Sequence, residues 1–388
     1  MIARIFFIMI LLILLPDLYV DRHYLRKKKG YNRTRRVLWW IPGIFMLIYT
    51  CRLAMVKDFA PTPPDSLYIY LLLSGLLIYP KACFAFFSFV GWMICRIIGS
   101  KKNWGNLIGF LLALFLLYVI IYGSTIGWRK LEIRNVDYYS TDLPAAFDGY
   151  RIVQFSDAHV GTYGGGKTKL LERAVDSINA QHGDMIVFTG DLQNMEATEL
   201  DEVQPILSRL QCKDGVYSVL GNHDYSMYIH RDSISMHTNE ILLQRKQRSI
   251  GWRLLMNEHR TLYRGKDSLV IAGMENTGTP PYPQKGDVTK ALEGVKKGAF
   301  VVMLQHDPSA WKRLILPDGR SQLTLSGHTH GGQVKLFGFS LVRLSYKEYS
   351  GFYGEGDYAL NISKGIGGVI PFRFGVPAEI AVITLHRK

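Results

Sequence analysis

Ser326-Gly327-His328-Thr329-His330-Gly331-Gly332-Gln333 follows directly on the apolar run Leu323–Leu325. Two imidazoles flank one small residue in a glycine-rich turn. A strand ending in such a turn carries both rings to the C-terminal edge of its sheet, where ligands from other strand ends can meet them. Imidazole is the commonest metal ligand among side chains. His-x-His alone has little specificity, so its partners upstream decide the reading.

Those partners occur in order. Asp157-Ala158-His159 follows Ile152–Phe155, and Gly190-Asp191 follows Met185–Phe188. Gly221-Asn222-His223-Asp224 follows Val216–Leu220, and Gln305-His306-Asp307 follows Ala299–Leu304. Ligands at the C-terminal ends of neighbouring strands fit the rule for where sites lie on layered α/β folds. Asp157, His159, Asp191, Asn222, His306, His328 and His330 are too many for one closed tetrahedral site. They suit two metals roughly 3.5–4 Å apart, the arrangement used for in-line attack at phosphorus. Taken singly, each Asp or Asn at a strand end is more simply a cap or turn residue; the set in order is what carries the reading.

Asp-x-His, Gly-Asp, Gly-Asn-His-Asp, His and Gly-His-x-His in this order resemble the calcineurin-like metallophosphoesterase superfamily. Two flanks, Leu143-Pro144 through Val153 and Gly365-Ile366-Gly367 through Pro377-Ala378-Glu379-Ile380, resemble its membrane-associated YaeI/YkuE-type bacterial branch. The resemblance covers about residues 130–388. Ala158 stands where that family often has Leu, at a position that binds nothing. The resemblance implies a four-layer αββα sandwich. It implies that Asp157, His159 and His330 hold one divalent ion, that Asn222, His306 and His328 hold a second, and that Asp191 bridges both. Oxygen and nitrogen ligands without thiolate suit Mn, Fe or Zn. The implied reaction is hydrolysis of phosphodiester or pyrophosphate bonds by a hydroxide shared between the metals. His223 is the expected general acid for the leaving oxygen, kept protonated by Asp224. Arg373 is the expected bidentate grip on a substrate phosphate.

The remainder of the chain divides at about residue 128, giving expected domains over 1–128 and 129–388. Residues 1–128 hold 15 Lys+Arg against 4 Asp+Glu, so eleven of the fourteen net positive charges lie there. These charges sit between long apolar runs, which points to membrane topology and to no nucleic-acid partner. Spans are expected over Ile2–Val20, Val37–Val56, Leu67–Ile98 and Leu107–Ile126; about 20 apolar residues suffice to cross. The third is long, with Pro80 and Lys81 near its middle, and reads as one kinked helix or two short ones. Ile2–Val20 lacks a small-x-small cleavage site and reads as a span rather than a signal peptide. Four spans place the basic loops Asp21–Arg36 and Gly99–Asn103 in the cytoplasm and the catalytic domain outside the cell (inner) membrane. Five spans would reverse the domain, and Arg129 and Lys130 favour that mildly. Cys51, Cys83, Cys95 and Cys212 imply neither a disulfide framework nor a thiolate site.

Gly161-x-x-x-x-Gly166-Lys167-Thr168 matches the Walker pattern, but Asp157 and His159 intervene between strand and glycines, so an NTPase loop is set aside. Lys167–Gln181 and Glu199–Leu210 are expected crossovers. Tyr225–Arg248 is an insert that could roof the site, with His230 and His237 facing solvent. The proline-containing loop Glu275–Asp287 could shape one wall. A site beside a membrane favours a lipid-linked or envelope phosphate ester as substrate. UDP-2,3-diacylglucosamine is one alternative; it is made in the cytoplasm, so it and the four-span topology exclude each other. A metal-free scaffold and a membrane sensor or transporter with an accessory domain complete the alternatives. The complete ligand set argues against the scaffold, and the lack of an evident polar face within the spans argues against the sensor or transporter.

Overall fold

Alternation within the short apolar runs decides how the catalytic region layers. Ile152 and Val153 face opposite sides of one strand, as do Val301 and Val302 of another, and all four are fully buried. Strands buried on both faces need cover on both. A computed structural model describes residues 1–388 and divides them into two units, Met1–Ile126 and Gly127–Lys388.

The second unit contains twelve strands: β1 (Leu131–Ser140), β2 (Arg151–Phe155), β3 (Met185–Phe188), β4 (Val216–Ser218), β5 (Arg253–Leu254), β6 (Glu258–Arg264), β7 (Asp267–Gly273), β8 (Phe300–Leu304), β9 (Leu323–Ser326), β10 (Gly351–Glu355), β11 (Tyr358–Ile362) and β12 (Ala378–Arg387). They form two six-stranded sheets, ordered β1-β12-β2-β3-β4-β5 and β10-β11-β9-β8-β7-β6. Strands β2 to β5 run parallel, with Phe155 beside Phe188 and Phe188 beside Ser218. Strands β7, β8, β9 and β11 are parallel in the other sheet. Between the sheets lies a core that includes Ile152, Val187, Tyr217, Ile271, Val302 and Leu325. Outside the first sheet, Val153, Phe155 and Phe188 pack against Leu171, Val175 and Ile178 of the helix Lys169–Asn179. Outside the second, Val301 and Met303 pack against Trp311 and Ile315. The result is the expected αββα sandwich.

Local outcomes differ from the sequence reading in two places, and a third bears out setting the NTPase loop aside. The second crossover is broken into a 3-10 turn, Ala197–Leu200, and a single helical turn, Gln204–Leu207. The insert after Asp224 ends in a regular helix, Ser233–Ser249, which Asp232 caps and which buries Leu243 in the core outside the first sheet. The amides of Gly165 and Gly166 each donate to the Glu202 carboxylate at 3.1 Å. A carboxylate of the chain itself therefore takes the place a nucleotide phosphate would occupy in a Walker loop.

Met1–Ile126 holds four helices long and apolar enough to cross a membrane: Ile2–Leu25, Arg33–Ala54, Asp65–Ile98 and Gly105–Arg129 by composition, the last ending past the unit boundary. The third is one continuous helix. A π turn over Ser74–Ile78 lets it pass Pro80, which lies at the start of the next helical stretch. Lys81, partly exposed, forms an ion pair with the fully buried Asp17 of the first helix. The Trp39 indole donates to the Asp17 carbonyl at 3.3 Å, and the Lys81 ammonium lies 5.5 Å from the Trp39 ring. Gly43 leaves the room that Asp17 fills. Tyr24 donates to Asn106 Oδ1 at 2.8 Å, and Ser88 does so at 2.7 Å. The spans thus carry an internal polar seam, which the sequence reading did not anticipate.

Removing one member of a buried ion pair leaves an uncompensated charge, at a cost of about 3–5 kcal/mol. Asp17→Ala should therefore lower the thermal unfolding midpoint of the detergent-solubilised chain. The double variant Asp17→Leu/Lys81→Leu should recover most of the loss. Equal loss in the single and double variants would contradict the pairing.

Candidate active site

The site is assembled from loops at the C-terminal ends of β2, β3, β4, β8 and β9. Asp157, His159, Asp191, His328 and His330 all adopt positive φ, between 45° and 73°. Non-glycine residues avoid this region, and its concentration at five polar side chains is the kind of strain that accompanies functional sites. Backbone bonds hold the loops together: Asp157 N–H donates to the Gly190 carbonyl at 2.9 Å, and Gly327 N–H to the His306 carbonyl at 3.0 Å. Glycine is required at two of the crossings. A Cβ on Gly190 would lie 2.7 Å from His306 Nδ1, and one on Gly327 2.5 Å from Asp157 Oδ2.

All seven expected ligands converge. On one side, His159 Nε2 lies 3.3 Å from His330 Nε2, and His330 Nε2 lies 3.5 Å from Asp157 Oδ1. On the other, Asn222 Oδ1 is 2.7 Å from His328 Nδ1 and 3.2 Å from His306 Nε2. Asp191 Oδ2 stands between the two groups, 3.6 Å from His159 Nε2 and 3.2 Å from His306 Nε2. Three sets of ligand atoms each lie within 4.8 Å of one another: Asp157, His159 and His330; His159, Asp191 and His223; Asp191, His306 and His328.

Neighbouring groups fix which ring nitrogen faces inward. His306 Nδ1 donates to the Thr189 carbonyl at 2.7 Å, leaving Nε2 toward Asp191. His328 Nε2 lies 2.7 Å from the Tyr346 hydroxyl, which donates to Asp307 Oδ2 at 3.1 Å. With the tyrosine proton given to Asp307, His328 Nε2–H donates to the hydroxyl oxygen, and the Nδ1 lone pair points at Asn222 and His306. Such outer partners orient metal-binding imidazoles. Asp307 stands in the quoted motif but drew no role there. Tyr346 lies outside every motif and carries no sequence signal. Tyr228 and Tyr282 were also missed: Tyr228 stacks on His223 with ring centres 4.0 Å apart, and Tyr282 meets His328 edge-on at 4.8 Å. Tyr282 does come from the loop expected to form a wall.

The electrostatics are those of a site short of positive charge. Burial and the nearby Asp191 push the Asp157 carboxyl up to about 7, against the relief given by His306. Burial alone would raise Asp191 too, but His306, His223 and His159 hold it well below the usual carboxylate range. Burial is likewise overcome at His306, which Asp191 and Asp157 raise to about 10. Burial pushes His159 down to about 3 and His328 to about 4. The two carboxylates thus favour positive charge at this centre. Divalent cations fit the same donors: carboxylate and amide oxygens and neutral imidazoles converge with their lone pairs inward, and no thiolate is present.

Two expected roles need correction. The Asp224 carboxylate does not touch the His223 ring; it accepts the backbone N–H groups of Gly221, Asp191, Leu192 and Gln193 at 2.8–3.3 Å. It clasps the loop of Asp191 to that of Asn222. His223 Nδ1 instead donates to the Asn194 carbonyl at 2.6 Å. Arg373 is fully buried, and its guanidinium donates to the carbonyls of Lys364, Gly365, Gly367, Val376 and Pro377. A guanidinium so committed has no fork to offer a phosphate. It braces the segment whose Ile366 and Gly367 amides bond to the Ser156 and Asp157 carbonyls at 2.9 Å. His230 and His237 are exposed and belong to no ligand group.

Tyr346→Phe deletes the hydroxyl between His328 and Asp307. Loss of such an outer partner typically weakens metal binding about 10–100-fold, and chelator competition on the purified chain should read a fall of that size. An unchanged affinity would remove Tyr346 from the account.

Comparison with known proteins agrees with this geometry. Residues 150–332 match the calcineurin-like phosphoesterase family, and residues 3–128 match a family described as a probable calcineurin-like phosphoesterase transmembrane domain. An uncharacterised metallophosphoesterase of Bacillus subtilis, YkuE, is 32% identical over 63% of this chain and 82% of its own length. One from Campylobacter jejuni is 27% identical over 98% of both chains. The UDP-2,3-diacylglucosamine pyrophosphatase LpxG of Chlamydia trachomatis is 25% identical over 62% of this chain and 86% of its own. A chain with this set of motifs, this match to YkuE and four apolar helices ahead of the sandwich belongs to the calcineurin-like metallophosphoesterases, and is a membrane-associated, metal-dependent phosphoesterase.

Proposed function

We propose that this protein hydrolyses phosphodiester or pyrophosphate bonds at a centre for two divalent cations, Mn, Fe or Zn, and that its substrates include lipid-linked phosphate esters. The observation that carries the reading is Asp191 Oδ2, within 3.6 Å of imidazoles from both ligand groups. Asp157, His159 and His330 would hold one cation, and Asn222, His306 and His328 the other, with Asp191 serving both. Bound divalent cations lower the pKa of water and stabilise negative charge on phosphoryl oxygens.

The protein's own groups would do the rest. His223 is the general acid. Its Nδ1 is committed to the Asn194 carbonyl, so proton delivery falls to Nε2. Burial lowers this imidazole, while Asp191 and the Asn194 carbonyl pull it back up. Tyr228 lies flat against the ring at 19° and limits its rotation. The basic loops support a catalytic domain outside a cell (inner) membrane crossed four times, with the bilayer as the nearest source of substrate.

A second reading rests on the similarity to LpxG. A nucleotide-linked acylated sugar presents a pyrophosphate to the same centre, but its cytoplasmic origin demands the opposite orientation. Impermeant thiol labelling of a single cysteine placed at Lys266, in intact cells, separates the two: labelling supports the external domain, and protection supports the nucleotide-sugar substrate.

The reaction itself is tested with bis-p-nitrophenyl phosphate after chelation and re-addition of Mn or Zn to the full-length chain. Asp191→Ala should abolish the restored activity. On an ester with a poor leaving group, His223→Ala should lower kcat about 10²–10⁴-fold, the contribution usual for a positioned acid. The loss should be larger for an ester with a poor leaving group than for p-nitrophenolate, which departs without a proton. Equal losses on both esters would overturn the acid role.

A further inference from the structure

The segment between His330 and Tyr346 leaves the ligand cluster and returns to it, and it carries an exposed apolar set that the chemistry does not use. Lys335 N–H donates to the Phe374 carbonyl at 2.8 Å, which roots the first leg. Leu336 and Phe339 then exchange both backbone hydrogen bonds at 2.9 Å, closing a two-residue turn at Phe337-Gly338. Both turn residues have positive φ, 49° and 82°. Such turns favour Asn or Asp before Gly; here a phenylalanine occupies the strained position, with its side chain 96% exposed. After Ser340, which is buried and donates to the Gly331 carbonyl at 3.3 Å, a 3-10 turn spans Leu341–Leu344. Residues three apart eclipse on a 3-10 turn, so Leu341 and Leu344 project together, 73% and 77% exposed. Phe339 is exposed as well.

Cations are interleaved with these side chains. Lys335, Arg343 and Lys347 are all exposed. The segment holds no acidic residue, and Glu348, just beyond it, is engaged by Lys312 at 2.8 Å. Large apolar side chains at loop tips among Lys and Arg form the pattern that inserts into the headgroup boundary of an anionic bilayer, with the cations held at headgroup level. Four apolar helices in the same chain tie the domain to a bilayer, so its local concentration at this loop is high.

We propose that Lys335–Lys347 is a docking loop for an anionic phospholipid surface. Phe337, Phe339, Leu341 and Leu344 enter the interface, and Lys335, Arg343 and Lys347 meet lipid phosphates. Tyr346, next to the loop's last residue, lies 2.7 Å from His328, so docking sets the mouth of the ligand cluster at the depth of lipid headgroups. The inference concerns a surface and stands independently of the reaction proposed above.

The test uses the full-length chain with its four cysteines replaced, reconstituted in nanodiscs of phosphatidylcholine and phosphatidylglycerol. A nitrobenzoxadiazole label is placed at Leu341→Cys or, as a control in the β6–β7 turn, at Lys266→Cys. Circular dichroism and a cooperative thermal transition verify that each labelled chain is folded; the optical signal needs no turnover. Docking predicts a blue-shifted emission at position 341 and quenching by headgroup-proximal spin-labelled lipid at least about threefold stronger than at position 266. Lys335→Glu/Arg343→Glu/Lys347→Glu should reduce that quenching by about half or more, and so should phosphatidylcholine alone. Equal access of aqueous iodide to both labels, without lipid quenching, overturns the proposal. Protection from iodide without lipid quenching also overturns it, and assigns the loop to a protein partner.

Discussion

One carboxylate answers to two groups of imidazoles. Asp191 Oδ2 has His306 Nε2 at 3.2 Å and His159 Nε2 at 3.6 Å, while Asp191 Oδ1 accepts the His223 amide at 2.8 Å. Held in the interior, that carboxylate needs positive charge, and the surrounding residues are arranged around the need. Asp224 gathers four amides to fix the loop, Thr189 turns His306 inward, and Arg373 braces the segment beneath Asp157. The strained φ values of five candidate ligand residues and the crossings at Gly190 and Gly327 follow from crowding so many polar side chains into one edge. Backbone strain of this kind costs of order 1–3 kcal/mol per residue, and the two packed sheets supply the rigidity that sustains it.

Sequence made the converging side chains legible because each follows closely on a mostly apolar run, and a run of three to six such residues can be read as a strand without knowing its neighbours. Sheet order, by contrast, was not legible. The last strand, β12, enters between β1 and β2, bringing Ile383 beside Ile152, a pairing of residues more than two hundred positions apart. The misassigned roles share a cause. Asp224 and Arg373 bond to backbone amides and carbonyls, which every residue possesses and which leave no trace in residue types. Tyr346 reaches His328 from a loop that has no periodicity, so only coordinates reveal it.

Lys81 illustrates the same limit in the apolar unit. It stands near the middle of the third span and Asp17 near the end of the first, but nothing in sequence joins residues 64 positions apart on different helices. Their pairing, with Trp39 against both, gives the spans a specific internal contact that apolar composition alone does not supply. Intramembrane ionisable groups are retained where they are paired. In the catalytic unit the balance is reversed: its exposed apolar residues, not its buried polar ones, are what a soluble domain would be expected to lack.

The central claim is a paired metal centre, and counting the metal tests it most directly. Full-length chain, stripped by chelator and titrated with Mn or Zn, should bind two ions per chain by elemental analysis, with hydrolysis of bis-p-nitrophenyl phosphate rising as the second site fills. A folded chain that binds one ion or none, yet hydrolyses the ester at the same rate, would contradict the account.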